Sequence, residues 1–218
     1  MSVPYRDSPL AFVDVETTGG HADRHRITEI AIVAMQGGEV EWEWNSLVAP
    51  GVSIPSAIQA LTRITNEMVA DAPRFEDLAP GILERLAGRV FVAHNVRFDY
   101  GFMRAALRRA GHAFSAPQIC TARLSRRLYP DGGRHDLGSV MARHGIDCGA
   151  RHRALADARV LARFWAVLQA DWTADELQGT LDAIAYRPVQ LRRIEWTETA
   201  GELSALLLEA RWSGGVES

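Results

Sequence analysis

The sequence has no lysine, few cysteines and no long apolar run. All 24 of its Lys or Arg positions are arginine. Its two cysteines, Cys120 and Cys148, supply neither a set of disulfides nor a CxxC metal pair, and we expect both to be small, half-buried residues in a reducing cytosol. Without a run of about eighteen apolar residues, no membrane-spanning helix is expected, and the first residues lack the basic and apolar segments of a secretory signal. These absences predict a cytoplasmic protein without a membrane partner.

Charge is divided unevenly along the 218 residues, although the formal net charge is only −3. Residues 1–170 carry twenty arginines and eighteen acidic residues, whereas residues 171–218 carry four arginines and nine acidic residues. The slightly acidic balance argues against a protein that binds nucleic acid through a basic surface alone. A chain of this length can bury one substantial core with a small appendage. We therefore predict one domain over residues 1–170 and an acidic extension over residues 171–218, which either packs as an appendage or docks a partner.

The first part of the sequence predicts strands. Residues 10–15 and 28–35 are apolar runs of strand length, and residues 39–48 alternate valine and tryptophan with glutamate, as a half-exposed strand does. Gly37 and Gly38 lie between the second and third runs and predict a hairpin turn. Strands joined this tightly must be antiparallel neighbours.

The pattern then changes to alternating strands and helices. Two more strands are predicted at residues 90–93 and 118–120. Thr173 and Glu176 predict the capping box of a late helix, and residues 200–212 have the spacing of another. Strands followed by strand–helix alternation predict an α/β fold, in which helices flank a mixed sheet. Apolar residues at helical spacing predict five further helices, over residues 75–86, 99–110, 121–129, 137–144 and 154–169.

Two groups of acidic residues lie where a predicted strand ends or a helix begins. On a strand, Asp14 and Glu16 point to the same side while Val13 and Val15 face the core, and two carboxylates on one face form a natural site for a hard cation. Asp99 follows a buried strand and lies in the first turn of the next helix, where the helix dipole favours a carboxylate. Taken alone, each group has an ordinary alternative, either a solvated acidic strand end or a structural aspartate at a helix start.

His152 and Asp157 form a third group, in HRALADA. Asp157 lies on the predicted helix and can complete a metal shell. His152 precedes it on a loop and can take a proton from water, because imidazole titrates near neutrality; a surface histidine among arginines is the alternative. Ionised carboxylates repel strongly at short range in a partly dry site unless a cation lies between them. The acidic side chains of the three groups therefore predict a site for divalent metal ions.

The three groups occur in the order of three known motifs. The chain resembles the DnaQ-like, or DEDDh, 3′–5′ exonucleases in FVDVETTG, HNVRFD and HRALAD. This family includes the epsilon proofreading subunit of bacterial DNA polymerase III. The segments IPSAIQALTRITNEMV and ICTARLSRRLYPDGGRHDLGSVMARHGI are also similar to the family, so that the likeness covers residues 9–168. Histidine at position 152, where the sister DEDDy group has tyrosine, indicates the DEDDh group.

The resemblance implies a ribonuclease H-like fold, in which a five-stranded mixed sheet lies between helices, and this agrees with the predicted strands. It implies that Asp14, Glu16, Asp99 and Asp157 bind two divalent ions, Mg²⁺ or Mn²⁺, since both accept oxygen ligands. One ion is expected to orient a water that His152 deprotonates, and the other to stabilise the leaving 3′ oxygen. The expected product is a nucleoside 5′-monophosphate, released from single-stranded DNA or a frayed DNA 3′ end.

The resemblance also implies contacts with the terminal nucleotide. Thr17 and Thr18 follow the first motif, at a position where the family binds that nucleotide. Leu61 matches a leucine that wedges against the terminal bases; its alternative is a plain core leucine. Phe98 either stacks near the scissile nucleotide or packs internally. Asn95 is a candidate substrate contact that could equally cap the next helix or brace the loop before it.

One position departs from the family. Many relatives have L-T-G-I-T where this chain has LTRIT, so that Arg63 replaces a glycine. An arginine at this position either adds a phosphate contact or narrows the cleft. Because of this difference, the substrate preference of the family has to be tested for this chain rather than assumed.

Three functions are compatible with these residues. The first is a metal-dependent 3′–5′ exonuclease that acts on DNA in proofreading or repair, with a DNA polymerase or repair protein docked on residues 171–218. The second is an exoribonuclease of the ribonuclease T or oligoribonuclease type, because discrimination of the 2′-OH depends on the pocket; the long interval between the first two motifs favours DNA. The third is a catalytically silent polymerase subunit, against which the intact set of five reactive residues argues.

Overall fold

The computed structural model describes residues 8–147 and 152–184. The chain divides into two compact units, Met1–Pro188 and Val189–Ser218. The second unit lies outside the described residues, and so do Cys148 and the helix predicted over residues 200–212. Cys120 is a free and buried thiol. Among the helices of the described ranges, none has both the length and the apolar character needed to cross a bilayer.

Three antiparallel strands begin the fold, namely β1 (Leu10–Thr17), β2 (Ile27–Gln36) and β3 (Glu39–Leu47). β1 pairs with β2, and β2 pairs with β3. Gly37 and Gly38 form the predicted hairpin turn at φ angles of 59° and 86°, which glycine adopts without the steric penalty of a Cβ atom. The antiparallel arrangement predicted for the first three strands is thus confirmed.

Two parallel strands complete the sheet. β4 (Val90–Ala93) pairs with β1, and β5 (Gln118–Cys120) pairs with β4, which gives the order β3-β2-β1-β4-β5. The predicted five-stranded mixed sheet is therefore confirmed. Seven helices lie in the described ranges: α1 (Ser56–Thr62), α2 (Phe75–Leu86), α3 (Arg97–Arg109), α4 (Thr121–Leu128), α5 (Leu137–His144), α6 (Ala154–Asp171) and α7 (Ala174–Ile184).

Alternate residues of the central strand β1 enter two separate cores. Phe12 packs on one face, edge-to-face with Trp165 of α6 at a centroid distance of 6.2 Å. Val13 packs on the other face, in the core that contains residues of α2 and α3. Because side chains alternate along a strand, Asp14 and Glu16 project on the same side as Phe12. The fold thus directs both carboxylates toward the face that α6 covers.

Helix α7 follows α6 after the predicted capping box. The Thr173 N–H donates to Glu176 Oε2 at 3.0 Å, and the Glu176 N–H donates to Thr173 Oγ1 at 3.4 Å. These reciprocal bonds satisfy N–H groups that lack a partner within the helix. Leu177 and Leu181 are buried in the same core as α6, and α7 contacts α4, α6 and β5. The described part of residues 171–218 therefore packs against the sheet and its helices.

Two helix features differ from the sequence prediction. Helix α1 was not predicted. It has only seven residues, and the buried residues of the small apolar cluster beside it, Ile54, Ile64 and Val69, lie before or after the helix in the sequence. A segment this short shows little helical periodicity. The suggestion that Asn95 caps α3 is wrong, since Val96 occupies the N-cap position. Asn95 instead forms an exposed turn before the helix, with φ of 60°.

The backbone of Arg63 explains why glycine suits this position. Arg63 caps the C-terminal end of α1 at φ 59° and ψ 22°, a left-handed conformation that costs an L-residue about 1–2 kcal/mol. We expect Arg63→Gly to raise the free energy of unfolding by about 0.5 kcal/mol, after allowing for the greater entropy of glycine in the unfolded chain. Urea denaturation measures this change. Arg63→Ala is the control, and an equal gain in it would assign the effect to the lost charge instead.

Candidate active site

Four acidic side chains from three distant segments gather beside the end of β1. Asp14 and Glu16 lie two residues apart on this strand. Asp99 is buried in the first turn of α3, and its Oδ1 accepts a hydrogen bond from the Val15 N–H at 3.2 Å. Asp157 is buried in the first turn of α6. The tertiary fold, rather than local sequence, brings these carboxylates together.

The carboxylates lie close enough to disturb one another's ionisation. Burial raises the pKa of Asp14 well above its ordinary value, and the negative charges of Asp99, Asp157 and Glu16 raise it further. Burial likewise raises the pKa of Asp99; the hydrogen bond from Val15 opposes this rise, and the charges of Glu16 and Asp157 add to it. Such a cluster is costly to ionise unless a cation is bound among its members.

Glu16, His152 and Asp157 form a group that could hold a metal ion. One ligand atom from each residue lies within 4.8 Å of the other two. Carboxylate oxygen and imidazole nitrogen are ordinary ligands of divalent metals, and a cation would also relieve the repulsion that raises the pKa values of Asp14 and Asp99. This donor set therefore fits a divalent metal ion.

We expect the metal-free protein to lose stability as the pH rises. Because the pKa values of Asp14 and Asp99 are raised, the folded state holds protons that the unfolded state releases. The resulting stabilisation is complete below pH 3.8, the ordinary pKa of an aspartate, and is lost as the pH rises through the raised values. Thermal unfolding in EDTA from about pH 5 to pH 8 measures the loss, which saturating Mg²⁺ should remove. An Asp14→Asn variant with an undiminished loss would contradict the assignment to Asp14.

Glu29 is a fifth acidic residue at the site and is not among the site residues predicted from the sequence. It lies directly opposite Glu16 in the β1–β2 register, and its side chain is buried. The Arg153 guanidinium donates to both of its carboxylate oxygens, with a shortest N–O distance of 2.7 Å. The available signal was a lone glutamate within the apolar strand ITEIAIVAM, since a buried charge of this kind requires a partner.

The two threonines at the end of β1, Thr17 and Thr18, use their hydroxyl groups within the protein. Both are buried. The Thr17 hydroxyl donates to the Gly19 carbonyl at 2.8 Å, and Thr18 Oγ1 accepts from the Arg26 N–H at 3.0 Å. Gly19 also packs closely, because a Cβ atom there would lie 2.5 Å from the His25 ring. Together with the bond from the Thr18 N–H to the Arg26 carbonyl at 2.8 Å, these contacts fix the conformation of the loop after β1.

The other expected substrate contacts differ in exposure. Leu61 on α1 is 51% exposed, so it is not a core leucine. Phe98 is partly buried, with its ring centroid 4.8 Å from that of Phe102. Asn95 is exposed, and the preceding residue, His94, is held by Nε2 against the His135 carbonyl at 3.0 Å. Leu61 and Asn95 therefore present accessible side chains, whereas Phe98 does so only in part.

Comparison with known proteins identifies the same region of the chain. A sequence profile of the RNase_T family, described as "Exonuclease", matches residues 11–164. This range contains His152 and all four of the clustered carboxylates.

Several relatives and solved structures resemble the chain. The DNA polymerase III subunit epsilon of Aquifex aeolicus is 31% identical over 168 residues, which cover 76% of this chain and 83% of that protein. The PolC-type DNA polymerase III of Clostridium perfringens is 36% identical over 156 residues, or 72% of this chain and 11% of that polymerase. Exonuclease X in complex with 5′-overhanging duplex DNA has a TM-score of 0.61 and 28% identity, covering 78% of this chain and 98% of that one. This chain thus spans most of two of these proteins and a small part of the third.

Proposed function

Because this chain belongs to the exonuclease family whose profile spans residues 11–164, we propose that it removes nucleoside 5′-monophosphates from DNA 3′ ends, in proofreading or repair. That the chain is a nuclease follows from the family and its relatives. DNA is favoured as the substrate because the epsilon relative is named as a DNA polymerase subunit and exonuclease X was solved with duplex DNA.

The gathering of mutually repelling carboxylates supports this function most directly. Asp14 is half-buried beside the charges of Asp99, Asp157 and Glu16, and each of these makes its ionisation more costly. A structural carboxylate that is buried is normally paired with a cationic side chain. Binding of divalent metal accounts for a cluster in which acidic groups face one another, and it also provides an exonuclease with its catalyst.

We assign the binding of two divalent ions, Mg²⁺ or Mn²⁺, to Asp14, Glu16, Asp99 and Asp157. Bound metal supplies a water of lowered pKa and positive charge beside the leaving oxygen. His152 has a ring nitrogen within 4.8 Å of ligand atoms of Glu16 and Asp157. This proximity supports the proposal that the His152 imidazole accepts the proton of the attacking water.

We assign the terminal nucleotide to the surface beside α1 and the start of α3. Leu61 offers an exposed apolar side chain that can wedge against a base, and Phe98 offers part of an aromatic ring for stacking. Asn95 and the backbone of Thr17 and Thr18 complete this assignment.

Cleavage of four 5′-labelled substrates tests the proposed function. Single-stranded DNA, a duplex with a mismatched 3′ end, a matched 3′-recessed duplex and an RNA oligomer are each incubated with Mg²⁺ or Mn²⁺. We expect stepwise shortening of DNA from the 3′ end, release of nucleoside 5′-monophosphates, and complete loss of cleavage in EDTA. Asp71→Asn, which changes an exposed aspartate outside the site, should cleave as the wild type does. Shortening of RNA alone would replace DNA as the substrate, and failure to cleave any substrate would refute the activity.

A DNA polymerase or repair protein is the proposed partner, and residues 171–218 are the proposed docking segment beyond an exonuclease domain of residues 1–170. The epsilon relative supports this assignment, since its name makes it a polymerase subunit. Within this segment α7 buries Leu177 and Leu181. The described part of the proposed docking segment is α7, whose exposed face is assigned to the partner; the rest of the segment lies outside the described ranges.

A further inference from the structure

Glu29 and Arg153 form a closely bonded ion pair between β2 and the start of α6. Glu29 Oε1 accepts hydrogen bonds from Arg153 Nη2 at 2.7 Å and from Arg153 Nε at 3.2 Å. Glu29 Oε2 accepts from Arg153 Nε at 3.0 Å and from the backbone N–H of Ala154 at 3.0 Å. A single carboxylate therefore binds both the side chain of residue 153 and the first turn of α6.

Glu29 is surrounded by the charges of the site but is not placed to act as a metal ligand. It lies opposite Glu16, and its charge contributes to the raised pKa of Asp14. Both of its oxygens already accept hydrogen bonds from Arg153 or Ala154, so a metal ion would have to displace these donors. The Glu29 side chain is only 1% exposed, and a carboxylate buried to this degree needs such a partner. Its contacts therefore indicate that Glu29 acts on the chain segment that it binds, residues 153 and 154.

The residues fixed by this pair adjoin two members of the candidate active site. Arg153 directly follows His152, and Asp157 lies in the same helical turn as Ala154. His152 has φ of 61°, a left-handed conformation that a residue with a side chain retains only when its surroundings hold it there. By fixing residues 153 and 154, Glu29 fixes the path of the chain from His152 into α6.

We propose that Glu29 and Arg153 are positioning residues, whose ion pair holds His152 and the first turn of α6 in the geometry needed for proton transfer. This inference rests on the proposed function, because it gives His152 the role of proton acceptor. The pair acts through His152 rather than on the substrate. A displacement of about 1 Å at a catalytic group can lower a rate about 10²-fold, so loss of this ion pair should be visible in kcat.

The chain offers a matched control in Glu43 and Arg159. Arg159 Nε and Nη2 donate to the Glu43 carboxylate at 2.5–3.0 Å, and this pair ties β3 to α6 as Glu29 and Arg153 tie β2 to α6. The Glu43–Arg159 pair is more exposed than the Glu29–Arg153 pair, and Arg159 lies farther from His152 along the chain than Arg153 does. Variants of the two pairs therefore distinguish loss of an ion pair on α6 in general from loss of the one beside His152.

Steady-state cleavage of single-stranded DNA provides the first test. We expect Glu29→Gln and Arg153→Met each to lower kcat about 10- to 100-fold while KM changes less than about twofold. Glu43→Gln and Arg159→Met should leave kcat unchanged. The first two variants change the charge beside Glu16 in opposite directions. If the pair acted only by tuning metal affinity, the Mg²⁺ dependence would shift in opposite directions and kcat at saturating Mg²⁺ would be unchanged, which would overturn the positioning role.

The imidazole ¹⁵N signals of His152 provide a test that is independent of turnover. In labelled protein, assigned with a His152→Ala variant, we expect one sharp set of signals in the wild type and in Glu43→Gln. In Glu29→Gln these signals should be shifted or broadened, because His152 is no longer held in one conformation. If the wild type cleaves no nucleic acid, the proposed function fails, while these signals still show whether the pair orders His152.

A double variant distinguishes loss of function from failure to fold. Arg153 keeps 35% of its side chain exposed, so water can solvate its charge when Glu29 is replaced by glutamine. Arg153→Met leaves a buried carboxylate unpaired, whereas the double variant Glu29→Gln/Arg153→Met contains no unpaired charge. We expect the double variant to fold and to lose no more kcat than Glu29→Gln alone. Unchanged kcat, unchanged His152 signals, or a double variant in which the two single losses multiply would each overturn the proposal.

Discussion

Replacement of Asp14 by asparagine is expected to lower the exonuclease rate at least about 10²-fold and, in the absence of metal, to make the protein more stable. The rate falls because one of the proposed carboxylate ligands is lost. Stability rises because burial and the neighbouring charges of Asp99, Asp157 and Glu16 oppose ionisation of Asp14, whereas a neutral amide carries no charge to bury. Opposite effects on activity and stability are typical of a site built for function at the expense of the fold.

Two measurements check this expectation. Initial rates on single-stranded DNA with saturating Mg²⁺ give the activity, and thermal unfolding in EDTA near neutral pH gives the stability. Addition of Mg²⁺ should raise the Tm of the wild type more than that of Asp14→Asn, because only the wild type retains all of the proposed ligands. Asp71→Asn should match the wild type in both measurements. A less stable Asp14→Asn protein in EDTA would show that Asp14 has a structural role which outweighs the repulsion.

Replacement of His152 by alanine is expected to lower kcat about 10²- to 10⁴-fold, the range that a general base contributes, without loss of metal binding. The four carboxylates remain in place, and His152 adjoins them without being one of the assigned ligands. The variant should therefore separate proton transfer from metal binding, which Asp14→Asn cannot do because it impairs both.

Calorimetric titration with Mn²⁺ and kcat on single-stranded DNA distinguish the two variants. His152→Ala should bind Mn²⁺ with the stoichiometry of the wild type while its kcat is lowered. Wild-type kcat in His152→Ala would remove this residue from the role of base. Loss of Mn²⁺ binding in the variant would instead make His152 a metal ligand.

The sheet and the long helices could be predicted because their residues follow the period of the local structure. The apolar runs of β1 and β2 and the alternating glutamates of β3 indicated three adjacent strands, and the structure confirms them. The five-stranded mixed sheet and the structural likeness to exonuclease X confirm the predicted ribonuclease H-like fold. Helix α1 could not be predicted in this way, because its few residues are held by tertiary packing around Ile54 and Ile64 rather than by a strong local pattern.

The candidate site was predictable only in part. The spacing of Asp14 and Glu16, and the positions of Asp99 and Asp157 at helix starts, pointed to a common site from the sequence. Their effects on one another's ionisation depend on distances that only the fold determines. The partner of Glu29 lies 124 residues away along the chain, and neither the left-handed backbone of His152 nor that of Arg63 is visible in residue type.

The central position of β1 determines when, during synthesis, the core and the proposed ligand set can be completed. The first proposed ligand, Asp14, belongs to the first strand, and the last, Asp157, belongs to a helix that covers that strand. Synthesis proceeds from the N-terminus, so the apolar face of β1 that packs against α6 stays uncovered by this helix until α6 leaves the ribosome. A nascent chain therefore lacks the last proposed ligand, Asp157, until α6 has been synthesised. The same helix that closes this core carries the last of the proposed ligands, so the core and the proposed metal site are completed together.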